Sequence, residues 1–239
     1  MDHSEPPSKR QKILRHAKPE LVLVEVGKER EKFMLPESLL CHKSSFFAAA
    51  LKPDSSFPKA KHNVIKMPEE DASLFDDFVS WMYNEHQTPR FDLNKHGTVE
   101  NTMEELIHLF DLGDRLGALE LQREMIRKFF NRLAGIPAMC RYFPHHIVDL
   151  IYQKKSAGIE ILKEIATDYF VWGRRTHWAE DAFQCLISDQ PEFGRACMKK
   201  LGTIALQEQK SGKRVKNPFH GTAHHYVTGF DAHAWSAIT

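Results

Sequence analysis

The sequence predicts an α+β fold in which a small sheet near the start is packed by helices and followed by an all-helical remainder. Two observations carry this. The short β-branched and Leu-rich runs LVLVEV (Leu21 to Val26) and VIKM (Val64 to Met67) read as strands, and they fall within the first third of the chain. From Met103 onward apolar residues recur at helical spacing, and no strand signal returns. Four segments follow: a polar, disordered tail over residues 1–18, a mixed α+β domain over 19–133, a helical extension over 134–209, and a mobile tail over 210–239.

Composition bounds the function. With 239 residues, 42% apolar content and 16 Phe, the chain has ample material for a buried core. Its 33 Lys and Arg against 32 Asp and Glu leave a formal charge of +1, so no whole-protein field points to nucleic acid or an anionic membrane, and the expected partner is protein. Cys41, Cys140, Cys185 and Cys197 form no CxxC and no close pair, which reads as buried, reduced thiols rather than a disulfide framework or a zinc knuckle. The opening MDHSEPPSKRQK contains no apolar run like a signal peptide, and nowhere are there about 18 consecutive apolar residues. A cytoplasmic or nuclear location is expected, with the basic SKRQK run read as a solubilising feature rather than an import signal.

The elements follow in order. LVLVEV has both faces apolar until Glu25, so either it is covered on both sides or its second face meets a partner. Gly27-Lys28 turns the chain into a second strand that delivers Phe33. Pro36 suits the first turn of a helix, where its missing N–H has no intrahelical partner to lose. Ser44 or Ser45 can cap the next helix, SSFFAAAL. Lys52 to His62, with Pro53, Asp54, Ser55 and Pro58, is a turn-rich loop of the kind that carries binding contacts. After the third strand, Glu69, Glu70 and Asp71 suit a helix N-terminus, and Phe75, Phe78, Val79 and Met82 form its core stripe. Asn84 to Thr102 reads as a surface loop. Met103, Leu106, Ile107 and Phe110 form one helical stripe and Leu121, Met125 and Phe129 another, with Gly113 and Gly117 marking a bend or close contact between them. In the extension, Leu162, Ile165, Ala166 and Tyr169 share one face, and Cys197, Leu201 and Ile204 another.

These pieces, in this order, resemble the core of the BTB/POZ domain. The resemblance rests on two short strands before a helical hairpin; on Leu39, Leu40, Ser44, Phe46 and Phe47, which fall where that family has a Leu pair and then Ser-x-Phe-Phe; on Val64 to Pro68 as a third strand and its exit; and on Trp81 and Tyr83 at the aromatic end of the next helix. LFDLGDRLGALEL (Leu109 to Leu121) is similar to the family's Leu-x-x-Ala-Asp-x-Leu segment, with Gly113 in place of the Ala. HHIVDLIY and DQPEFGRACMKKL resemble the helical continuation of fungal BTB proteins. The resemblance implies a BTB/POZ-like small sheet flanked by a helical cluster, and a non-catalytic adaptor or scaffold that forms homo-oligomers. The alternative it implies is a substrate adaptor of a cullin-based ubiquitin ligase. The chain departs from the family pattern at Glu20, Pro36 and Glu37, where many members have an Asp and a His-Lys pair. Where cullin-binding members carry apolar-x-Glu, Phe57, Pro58 and Lys59 stand here, and they are the candidate protein-binding residues. The exchange of Glu for Lys implies weak cullin binding.

Catalysis is not expected, and an enzyme with an unrecognised site is the remaining alternative. GxSxG, HExxH, GxxxxGK[ST] and GxGxxG are all missing from the sequence, and no cofactor or metal site is predicted. His220, His224 and His225 could chelate a metal only on a helix, which Pro218 and Gly221 disfavour. His145-His146 reads as a surface or capping pair. Arg174, Arg175 and His177 between Trp172 and Trp178 could contact nucleic acid, but Trp residues in a helical extension are better read as core.

Overall fold

The computed structural model describes residues 20–52, 64–83, 99–135, 145–156, 158–173 and 181–236. Strand β1 (Leu21–Val26) is the central strand of a three-stranded sheet. It pairs antiparallel with β2 (Glu31–Pro36) and parallel with β3 (Val64–Met67), giving the order β2-β1-β3. Alternation decides the buried face: Val22, Val24 and Val26 are all buried, opposite Leu35 and beside Met67. Gly27, at φ 75°, makes the turn that a residue with a side chain would resist, and its N–H donates to the Met67 carbonyl.

A helical hairpin follows, α1 (Glu37–Lys43) and α2 (Ser45–Ala50). Of the two candidate caps, Ser44 is the one used: its Oγ accepts from the Phe47 N–H at 3.2 Å and donates to the Leu116 carbonyl at 2.5 Å. The N–H groups of Ser45 and Phe46 bond the carbonyls of Gly117 and Leu116. Gly117, at φ 59°, lies so close that a Cβ there would meet Ser45 Oγ at 2.0 Å. The close contact expected of this glycine is therefore to α2.

Helix α3 (Ala72–Tyr83) buries Phe75, Phe78, Trp81 and Met82, with Val79 half-buried beside them. Asp71 caps it by accepting from the Leu74 N–H at 2.9 Å. Helices α4 (Val99–Arg115) and α5 (Leu119–Ala134) form a second hairpin through the Gly117 turn. The expected loop to Thr102 is therefore too long at its C-terminal end, because Thr102 and Met103 are already buried in α4.

The helical extension is formed by α6 (His145–Gln153), α7 (Glu160–Gly173), α8 (Asp181–Asp189) and α9 (Pro191–Ser211). One cluster of buried side chains runs from Val22 through Phe110 and Phe130 to Ile165, Phe193 and Phe230, so the sheet-bearing part and the extension share a core. A chain of ion pairs on α4 reinforces the junction. Arg115 holds Glu70 at 2.7 Å and Asp111 at 2.6 Å, and Lys154, just past α6, reaches the same Asp111 at 3.0 Å.

Residues 210–236 depart from the mobile tail expected over 210–239. Gly212 ends α9 in the left-handed region, a short 3₁₀ turn spans Pro218–His220, and α10 covers His224–Ser236. Ala223, Tyr226, Val227 and Phe230 are buried. Phe219 stacks on Phe130 with ring centres 4.9 Å apart, Phe230 meets Phe110 edge-on at 6.0 Å, and Arg123 pairs with Asp231 at 2.7 Å. The spacing of these apolar residues is helical, but His, Thr and Gly between them dilute it below recognition. The expectation of disorder over residues 1–18 falls outside the described residues.

Candidate functional site

The strand register sorts β1 and its neighbours into two faces. On the face turned away from the Val22-Val24-Val26 core, Leu21 lies opposite Pro36, Leu23 opposite Met34 and Glu25 opposite Lys32, while Val64 stands beside Leu23 and Lys66 beside Glu25. The face is thus divided along the strands: Leu21, Leu23, Met34, Pro36 and Val64 occupy one end, and Glu25 between two lysines the other. Leu21 is 44% exposed and Met34 58%, and Leu23, Pro36 and Val64 are half-buried. The apolar second face of LVLVEV is thus not fully covered within the chain but left partly exposed. An apolar patch edged by charges on a rigid sheet is chemically suited to binding another protein, with buried apolar contacts at its centre and solvated charges at its rim.

A concave feature lies between α7 and α9. Its volume is about 390 Å³, and Tyr152, Glu164, Thr167, Glu192, Lys199 and Lys200 are among its walls. Beneath it, Asp168 is 2% exposed, accepts from the Tyr226 hydroxyl at 2.8 Å and pairs with Lys200 at 2.8 Å. Burial would lower the Lys200 ammonium, but Asp168 and Glu164 outweigh it and hold the pKa above its ordinary value. Burial, assisted by the Asp168 carboxylate, also raises the Tyr226 phenol. The Cys197 thiol is pushed up to about 12 by burial and then by Asp168, so it stays protonated at neutral pH and is a poor nucleophile. This cluster was invisible in the sequence, because Asp168 sits next to the Tyr169 stripe and nothing local distinguishes it from a solvated helix residue.

The positions singled out in the sequence are dispersed. Phe57, Pro58 and Lys59 lie outside the described residues, as do Arg174, Arg175, His177 and Trp178. His224 and His225 open α10 on consecutive positions, both exposed. His146 pairs with Glu104 at 3.1 Å, in keeping with a surface role. Cys197 is buried and Cys41 half-buried, but Cys185 is exposed, against the expectation of buried thiols. Among the described residues, no group of three or more His, Cys, Asp or Glu is placed to hold a metal ion. No described helix is long and apolar enough to cross a membrane. In comparisons with known proteins, no family model matches the chain and no match is found among curated proteins.

Proposed function

We propose that this protein is a BTB/POZ-like, non-catalytic binding module that acts as a self-associating adaptor or scaffold and engages a protein partner through the outer face of its sheet. The observation that carries the reading is the half-exposed Leu21-Leu23-Met34-Val64 surface, bounded by Glu25, Lys32 and Lys66. Residues this apolar are normally turned inward on a strand, and their grouping on one open face marks a docking surface rather than scattered surface hydrophobes. The order of elements adds support: two strands, a helical hairpin, a third strand and then helices is the order the sequence resemblance implies.

Affinity capture followed by mass spectrometry, with the whole chain and with Leu21→Asp/Met34→Glu, tests the reading. Both side chains are exposed, so the double variant should fold. It should lose proteins that the parent retains at the same salt. Identical captured sets, with the variant's melting transition intact, would remove the sheet face from consideration.

A further inference from the structure

Helix α9 has an outward face that the binding reading leaves unused. Phe193, Cys197 and Ile204 point into the core, while on the opposite side Met198 is 63% exposed and Leu206 57% exposed. Gly202 lies midway between them, and a Cβ added there would meet nothing within 4 Å. At 100° and about 1.5 Å per residue, Met198 and Leu206 stand one turn to either side of Gly202, about 6 Å along the axis and on the same face. Large, small, large is a self-complementary order when the second helix runs antiparallel.

We propose that α9 is a docking surface for α9 of a second copy of this chain, crossing antiparallel at Gly202. A two-fold axis at that glycine sets Met198 against the partner's Leu206 and Leu206 against the partner's Met198, while the two glycines let the backbones approach. Charge supports the same register. Glu192 and Lys210 are exposed on one flank of the helix, both about 80° round from Gly202, some 15 Å before it and 12 Å after it. The two-fold therefore brings Glu192 beside the partner's Lys210, once at each end. Arg195 faces the partner's Gln209. The two copies of Lys199 stand about 9 Å apart along the axis, near the screening length at physiological salt.

One helix face buries less than the roughly 1,200 Å² at which stable interfaces begin, so the dimer is weak and depends on concentration. The inference rests on the reading of the chain as a self-associating scaffold, but on different residues from the sheet face. Sedimentation equilibrium of the whole chain from about 10 to 500 μM should show reversible dimerisation with a Kd weaker than about 1 μM. Gly202→Leu has open space within its own chain and should leave the melting temperature unchanged or higher, yet weaken association by about tenfold or more. Glu192→Lys should weaken it too, and adding Lys210→Glu should restore it. A monomer throughout the range overturns the proposal, as does a dimer indifferent to Gly202→Leu. Met34→Glu run beside these variants separates the two surfaces: a dimer lost there and kept in Gly202→Leu assigns self-association to the sheet and sinks the α9 contact.

Discussion

Replacing Tyr226 with Phe removes one oxygen atom from the interior and leaves the ring, 5.5 Å from that of Phe130, in place. That oxygen donates to Asp168, a carboxylate 2% exposed, at 2.8 Å. A hydrogen bond to a charged acceptor contributes about 1.5 to 3 kcal/mol, and losing it leaves Asp168 with Lys200 as its ionic partner. Tyr226→Phe should therefore cost about 2 kcal/mol, and Tyr226→Ala, which also empties a large buried site, about 3 to 5 kcal/mol or more. Against a total stability of about 5 to 15 kcal/mol these are large fractions. Urea denaturation measures both, with an unchanged slope showing that the midpoint shift is a change in stability. The sequence alone makes residues 210–239 dispensable; the structure makes their removal destabilising, because Phe110 and Phe130 lose the aromatic partners that cover them. A Tyr226→Phe chain with the parent's midpoint, together with a chain lacking 210–239 that melts like the parent, would refute this account of α10.

Phe78 is fully buried and stacked on Trp81, so Phe78→Ala should cost roughly 3 to 5 kcal/mol in the same assay; a melt like that of the parent would reject the α3 stripe as core. Burial and then the neighbouring Lys154 hold His108 below its ordinary value of 6.5, against the weaker opposing pull of Asp111 and Glu104. The unfolded chain then binds a proton more readily than the folded one, so stability present above that value is lost as pH falls through 6.5 toward the depressed pKa. Melting temperature should drop more steeply between pH 7 and 5 in the parent than in His108→Gln, and parallel profiles would count against it. If Lys59 stands where cullin-binding relatives of the resembled family carry Glu, a purified cullin N-terminal domain should bind the parent weakly and Lys59→Glu more tightly, because an ammonium replaces a carboxylate at the contact. Tight parental binding that the exchange reduces would favour the ligase-adaptor role.

The sequence by itself determined whatever depends on neighbours a few residues apart. Short β-branched and Leu-rich runs placed β1 and β3, the Ser44-Ser45 pair located the start of α2 to within a residue, and the Phe75-Phe78-Val79-Met82 spacing named the inward face of α3, with Val79 only half-buried there. Gly113 and Gly117 were legible as close contacts because a residue without a side chain has little other reason to interrupt an apolar helical pattern. Tertiary structure decided the rest. Whether both apolar faces of LVLVEV are covered depends on elements far along the chain, so cover on both sides and an open second face could not be separated from the strand's own residues. Helix α10 stays folded through Phe130, Phe110 and Asp168, partners about 60 to 120 residues earlier, and its diluted pattern of apolar residues carries little local signal. Asp168 itself reads as a surface carboxylate until Tyr226 and Lys200 close over it, since the cost of burying a charge is met only by groups that the fold, and not the local sequence, brings to it.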